Sequence, residues 1–298
     1  MRALDAISLP ATIPWKRYWE LTKPRVVALM LFTALVGMIL ATEGPLPWAK
    51  VILGLTGIAL ASAAGAVVNH IVDRKIDAVM ARTRGRPLPT HQIDTGSALV
   101  FAAVLASAGM FVLAGGVNLL TALLTFSAMI GYALIYTVLL KRWTPQNVVW
   151  GGAAGAAPPL LGATAVSGEV TVDALLLFLI IFIWTPPHFW PLAIHRIDDY
   201  RQAKIPMLPV THGIAFTKAQ VLNYAFMLFA VSLFPFAAHT AGLVYLAGAV
   251  PLGLVFIYHA WRLYRSEGRK HAMATFKFSI VYLFALFALL IADHAVRF

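Results

Sequence analysis

Long uncharged, apolar runs alternate with short charged ones along this chain. The uncharged runs cover 26–42, 51–72, 95–140, 144–168, 174–194, 219–261 and 278–292, the last extended by the residues before it. A membrane-spanning helix needs roughly 20 apolar residues. The 46-residue run 95–140 therefore predicts two helices, broken near Gly115-Gly116-Val117-Asn118. The run 219–261 predicts another pair, broken near His239-Thr240-Ala241-Gly242. The expectation is an all-α polytopic membrane protein with nine transmembrane helices around a central cavity. It forms one domain over 1–298, with 1–20 as an N-terminal segment outside the bilayer.

The basic residues orient this arrangement. With nine spans, the N-terminus shares a side with the loops after even-numbered spans. That side carries 21 of the 23 Lys and Arg residues, leaving only Lys50 and Arg297 opposite. Cytoplasmic loops are rich in Lys and Arg, so the N-terminus is expected in the cytoplasm and the C-terminus in the periplasm. The net charge of +11 then reads as a topology signal with attraction to the anionic lipid bilayer, not as a nucleic-acid footprint. The first eighteen residues include Asp5, Lys16 and Arg17 and predict no cleaved leader. Without a transit peptide, the expected location is a bacterial inner membrane.

Composition narrows the class further. Hydrophobic residues make up 60% and charged residues 12%, with a mean hydropathy of +0.81. A soluble domain carries about 25% charged residues, so this chain lacks the material for a water-facing surface. Cysteine is absent, which excludes disulfides, thiolate metal sites and cysteine nucleophiles.

Candidate chemistry lies in the two long loops on the basic side, after spans two and six. Span two ends in Asn69-His70-Ile71-Val72-Asp73-Arg74-Lys75-Ile76-Asp77. On a helix, Asn69, Asp73 and Asp77 form one stripe about 12 Å long. Three oxygen donors on one face suit a hard cation such as Mg²⁺, held by carboxylates and substrate phosphates. The following Arg82, Arg84 and Arg86 fork geometries match phosphate oxygens and read as the other half of a diphosphate clamp. After span six, His195-Arg196-Ile197-Asp198-Asp199 repeats the four-residue spacing between His195 and Asp199, and Lys204 precedes Ile205-Pro206-Met207-Leu208-Pro209. Both clusters precede basic residues and a proline-containing segment, as in an internal duplication with two acidic sites facing one cavity.

Asn69-x-x-x-Asp73-x-x-x-Asp77 followed by Arg86-Pro87-Leu88 resembles the first aspartate-rich motif of the intramembrane UbiA-type prenyltransferase superfamily. Three further segments resemble its haem O synthase branch: Tyr136-Thr137 with Lys141-Arg142, Trp184-Thr185-Pro186-Pro187-His188-Phe189-Trp190, and Asp199-Tyr200 leading to Ile205-Pro206-Met207. Lys204 departs from that branch, which usually has Gly there. The resemblance implies Mg²⁺-assisted ionisation of farnesyl diphosphate and attack by a vinyl group of haem B, here a substrate and not a cofactor. It implies Asn69, Asp73 and Asp77 around one Mg²⁺, and Asp199 or Asp198 on a second. Arg82, Arg86, Lys141 and Arg142 would face the diphosphate, with Tyr136 and Lys204 further substrate contacts. His188 and His195, seven residues apart in span six, are the candidate haem contacts, and haem A synthase is an implied partner.

Three rivals remain at this point. A related enzyme prenylating an aromatic quinone precursor would share the first motif but not the Trp184–Trp190 run. A transporter would place ionisable groups in midspan, whereas spans three, four, seven and eight carry no charge. A structural subunit would not explain two acidic clusters at matching helix ends.

Overall fold

The computed structural model describes residues 15–297; Arg2, Asp5 and most of the expected 1–20 segment lie outside them. The described residues fold entirely into helices and connecting turns, with no strand. In chain order these are α1 (Trp15–Leu21), α2 (Pro24–Leu40), α3 (Trp48–Val79) and α4 (Thr95–Gly116). They continue with α5 (Leu119–Trp143), α6 (Asn147–Ser167), α7 (Val172–His195), α8 (Ile197–Gln202), α9 (Leu208–Thr211), α10 (Gly213–Ala237), α11 (Leu243–Arg265) and α12 (Ala272–Arg297).

Seven of these helices, α3, α4, α5, α7, α10, α11 and α12, are long and apolar enough to cross a membrane. The α1–α2 pair, bent by 53°, raises the number to eight if it counts as one span. Helix α6 stands outside this set. Its Gly151-Gly152-Ala153-Ala154-Gly155-Ala156-Ala157-Pro158-Pro159 core is small rather than strongly apolar. The structure thus shows seven to eight clear spans among the described residues, rather than the expected nine.

Local chemistry sets the breaks. Between α4 and α5, Asn118 turns its side chain back to accept from the Thr121 N–H at 2.8 Å, satisfying a donor the helix start would leave open. Asp94 does the same for Ser97 at the start of α4. Helix α2 begins with Pro24 directly after Lys23, which takes a left-handed conformation at φ 52°.

Packing relies on small residues, as expected where lipid removes the hydrophobic drive between helices. Gly37 of α2 abuts the Pro159 carbonyl of α6, and Gly162 of α6 abuts the Ala34 carbonyl of α2. Neither position has room for a Cβ. Helix α3 is the central element, with 56% of its most apolar window buried, against 17% for α5. Outward-facing Val100, Phe111 and Leu123 leave the outer helices apolar towards lipid. The proline-rich end of α7 meets the loops of α3 and α8 in one cluster of Met80, Val148, Trp190, Ile194, Tyr200 and Met207. That cluster brings both acidic loops to the same end of the bundle.

Candidate active site

Helix α3 runs unbroken through Val79, past the expected end of span two, so its polar stripe stays helical. Asn69, Asp73 and Asp77 are 5%, 2% and 3% exposed. Each is matched by a group from elsewhere in the chain. Asn69 donates to Asp73 Oδ2 at 2.8 Å and to Thr137 Oγ1 at 3.3 Å, and its Oδ1 accepts from Lys23 Nζ. Lys141 Nζ reaches Asp73 Oδ2 at 2.5 Å, and Arg86 Nη1 reaches Asp77 Oδ2 at 2.7 Å. Thr83 Oγ1 donates to the Asp77 carbonyl, fixing the turn that returns Arg86. Asp73 Oδ1 is buried with no hydrogen-bond partner.

Helix α5 supplies Thr137 and Lys141 through a π-helical stretch, Gly131–Leu140. The wider turn lets Thr137 Oγ1 donate to the Tyr132 carbonyl five residues back at 2.7 Å. Such segments are frequent at functional sites. Tyr136 stacks on Tyr132 with centroids 5.7 Å apart and lines an apolar cavity of about 310 Å³ beside Gly151 and Phe178. Arg142 is exposed and leans on the Val72 carbonyl at 3.4 Å. Arg82 is exposed.

The second cluster differs in build. Helix α7 ends at His195 and α8 starts at Ile197, with Arg196 at φ −105° and ψ 24° between them. His195 and Asp199 therefore do not share one helical stripe, although their spacing predicts it. His195 is exposed. Asp199 is half-buried, its Oδ2 3.8 Å from Arg196 Nη1 and accepting no hydrogen bond. Asp198 is exposed and takes a two-pronged bond from Arg269 at 2.7 and 2.9 Å. Burial pushes the Tyr200 phenol above its usual range, and the nearby charges of Arg82 and Asp199 act on it in opposite senses. The two loops meet at that tyrosine. Lys204 is exposed and left-handed at φ 54°, a conformation glycine adopts without cost.

His188 is sandwiched between Trp184 (4.1 Å) and Phe276 (4.7 Å). Ser279 Oγ lies 2.6 Å from both the Phe276 carbonyl and His188 Nδ1, so the ring is fixed through that nitrogen and Nε2 is the one left for another partner. Trp184 Nε1 donates to the Ser279 carbonyl. Among the described residues no three His, Asp or Glu side chains form a ready metal cluster. The α3 site instead offers two carboxylates and an amide within a ring of cations.

Lys23 and Thr137 join the site without appearing among the expected site residues. Lys23 lies 46 positions from Asn69, beyond any local spacing rule. Its one sequence mark is a charge set directly before the proline that opens an apolar run.

The site is thus a group of buried carboxylates ringed by Lys and Arg within an all-helical bundle of membrane-length helices. The chain belongs to the UbiA prenyltransferase family, whose sequence model matches residues 30–289. It is similar to the protoheme IX farnesyltransferase of Thioalkalivibrio sulfidiphilus at 62% identity over 283 residues, 95% of this chain and 94% of that protein. The protoheme IX farnesyltransferase of Marinobacter nauticus is 58% identical over 286 residues, 96% and 95% of the two chains. Among solved structures, a digeranylgeranylglyceryl phosphate synthase shares the fold with a TM-score of 0.79 at 19% identity, covering 94% of this chain and 98% of that one. A UbiA homolog from Archaeoglobus fulgidus bound to GPP and Mg²⁺ does so with a TM-score of 0.68 at 16% identity, covering 92% and 99%. The chain is a multi-pass membrane transferase.

Proposed function

We propose that this chain transfers the farnesyl group of farnesyl diphosphate to a vinyl group of haem B, with addition of water, giving haem O. The observation that carries the reading is the buried Asn69–Asp73–Asp77 stripe ringed by Lys23, Lys141 and Arg86. Relatives at 55–62% identity bear the name of this reaction, which does not favour the quinone-precursor alternative.

The donor set fits Mg²⁺. Asp73 Oδ1 is an open, buried oxygen, and Mg²⁺ is held by one or two carboxylates with the remaining positions left to water and substrate phosphate. Asn69, Asp73 and Asp77 would hold one ion and Asp199 a second, with Asp198 the alternative. Bound Mg²⁺ supplies charge neutralisation of the leaving diphosphate. Lys23, Lys141 and Arg86, with Arg82 and Arg142 at the rim, oppose the charge that gathers as the farnesyl C1–O bond breaks with its electron pair on oxygen. Preorganised charge of this kind is usually the largest catalytic term. The vinyl terminal carbon then bonds to farnesyl C1. Water adds its oxygen to the adjacent carbon and releases a proton. Tyr136 borders the apolar cavity suited to the prenyl chain, and Lys204 stands at the loop rim. His188 presents Nε2 as the haem contact, with His195 the second candidate.

In this reading the bent α1–α2 pair and α6 complete nine spans, the N-terminus is cytoplasmic, and the site opens to the cytoplasmic face of the inner membrane. Haem A synthase is the partner that takes the product. The test is an assay of detergent extract with haem B, farnesyl diphosphate and Mg²⁺, read by mass spectrometry. A hydroxyethylfarnesyl porphyrin that vanishes with EDTA is the expected product. A prenylated hydroxybenzoate or naphthoate, with haem untouched, overturns the haem assignment and keeps the diphosphate site.

A further inference from the structure

A second cavity lies away from the α3 stripe and includes none of its residues. It holds about 520 Å³ between the start of α10 and the end of α11, lined by Ile214, Lys218, Tyr264, Arg265, Ser266 and Gly268. Lys218 is 4% exposed, and its ammonium donates to the Ser266 carbonyl at 2.6 Å, which leaves further N–H capacity on a three-donor group. Arg265 lines it, Arg262 and Lys270 lie on the same helix end and loop, and among the described residues none of the three has an ion-pair partner. Glu267, the loop's one carboxylate, does not line the cavity. Partial burial, then the charges of Arg262, Lys270 and Lys218, hold the His271 imidazole below its usual range.

The surroundings choose among anions. Tyr258, Trp261, Arg262 and Arg265 follow the i, i+3, i+4, i+7 pattern of one helix face, and the Arg262 guanidinium lies 5.6 Å above the Tyr258 ring. Tyr258, Trp261 and Tyr264 are 52%, 49% and 47% exposed, and Phe216, next in sequence to the lining Ala215, is 44% exposed. Exposed aromatics beneath a row of basic groups mark the level of lipid head groups. Basic pockets between helices at that level receive anionic head groups. The same loop carries Arg269, whose bond to Asp198 fixes this cavity at the end of the bundle that holds the acidic site.

We propose that the cavity between α10 and α11 binds the phosphate head group of an anionic membrane lipid. Lys218 and Arg265 contact the phosphate, and Tyr258, Trp261 and Phe216 flank the glycerol and upper acyl region. The site stands whether or not haem is the acceptor.

The experiment is native mass spectrometry of the full chain released from detergent, offered equal amounts of phosphatidylglycerol and phosphatidylcholine with identical acyl chains. The wild type is expected to retain phosphatidylglycerol preferentially. The R265Q/K270Q variant is expected to lose that preference by roughly tenfold, on the scale of head-group attraction to surface basic residues. Both altered side chains are exposed, and an unchanged melting curve shows that the variant is folded. Equal retention of the two lipids by the wild type, or unchanged selectivity in the folded variant, overturns the proposal. Displacement of phosphatidylglycerol by millimolar inorganic phosphate also overturns it, because the cavity then reads free phosphate rather than lipid.

Discussion

The two acidic clusters carry the same four-residue spacing and meet different surroundings. On α3 the helix runs on, the side chains are buried, and the countercharges come from Lys23, Lys141 and Arg86 on three other segments. After α7 the helix stops at Arg196, Asp198 faces solvent, and the Arg196 and Arg201 partners are neighbours in the same short segment. A buried charge in low dielectric is expensive unless paired, and when paired it acts strongly on whatever enters. A charge in solvent is screened and does little until a ligand organises it. The α3 cluster is therefore a preformed electrostatic cradle, and the α8 cluster is a solvent-facing rim beside it.

The largest effect separates the two directly. Asp73→Asn or Asp77→Asn is expected to lower turnover by about 100-fold or more, the range for removing one preorganised electrostatic group. Asp198→Asn, already bound to Arg269, is expected to change it less than about threefold. Membrane-inserted yield checks that each variant folds. Equal losses at Asp73 and Asp198 would erase the distinction between cradle and rim.

Stability sharpens the same contrast. Lys141→Met leaves Asp73 buried beside one fewer cation, and breaking a buried pair from one side costs about 3–5 kcal/mol. A lowered Tm is expected, with part of it restored in the Asp73→Asn/Lys141→Met double variant, where the carboxylate that lost its Lys141 partner is gone. Arg269→Gln, which breaks an exposed pair, is expected to lower Tm only slightly, by an amount consistent with less than about 1 kcal/mol. A double variant no more stable than the single one would show that Lys141 acts through packing instead.

Much of the cradle was legible because helical spacing is local. Asn69, Asp73 and Asp77 need only a continuous helix, and the break at Asn118 needs only its cap. The partners were less so. Lys23 reaches Asn69 across two helices, and no periodicity links them. The His195–Asp199 pairing failed because spacing assumes helical continuity, while Arg196 interrupts it. The expected nine spans exceed the clear ones at α6, whose uncharged run reads as a span but whose glycines, alanines and prolines serve close packing rather than hydropathy. The π-helical turn that places Thr137 was invisible for a related reason: its composition is that of any apolar helix.

Lys204 measures what the rim tolerates. It holds φ 54°, and a left-handed conformation costs a side-chain-bearing residue roughly 1 kcal/mol relative to glycine. Lys204→Gly is expected to raise Tm by an amount consistent with about that energy. Turnover falls in addition if the ammonium contacts substrate at the rim. A gain in Tm with unchanged turnover would mark Lys204 as a backbone position only.

The smallest effect is a pH dependence confined to the rim. Hydrogen bonds from Arg269, with its charge, hold the Asp198 carboxyl below the usual carboxylate range. A carboxyl whose folded pKa is depressed contributes its stabilisation above its unfolded pKa and loses it as pH falls through the folded value. The Tm difference between wild type and Arg269→Gln should therefore be flat from neutral pH down to about pH 5 and shrink only below the ordinary carboxylate range. Salt should shrink it at every pH, because both groups face solvent. A difference that instead persisted in acid and in high salt would mean that the Asp198–Arg269 contact is sealed from water. The rim would then be as preorganised as the cradle.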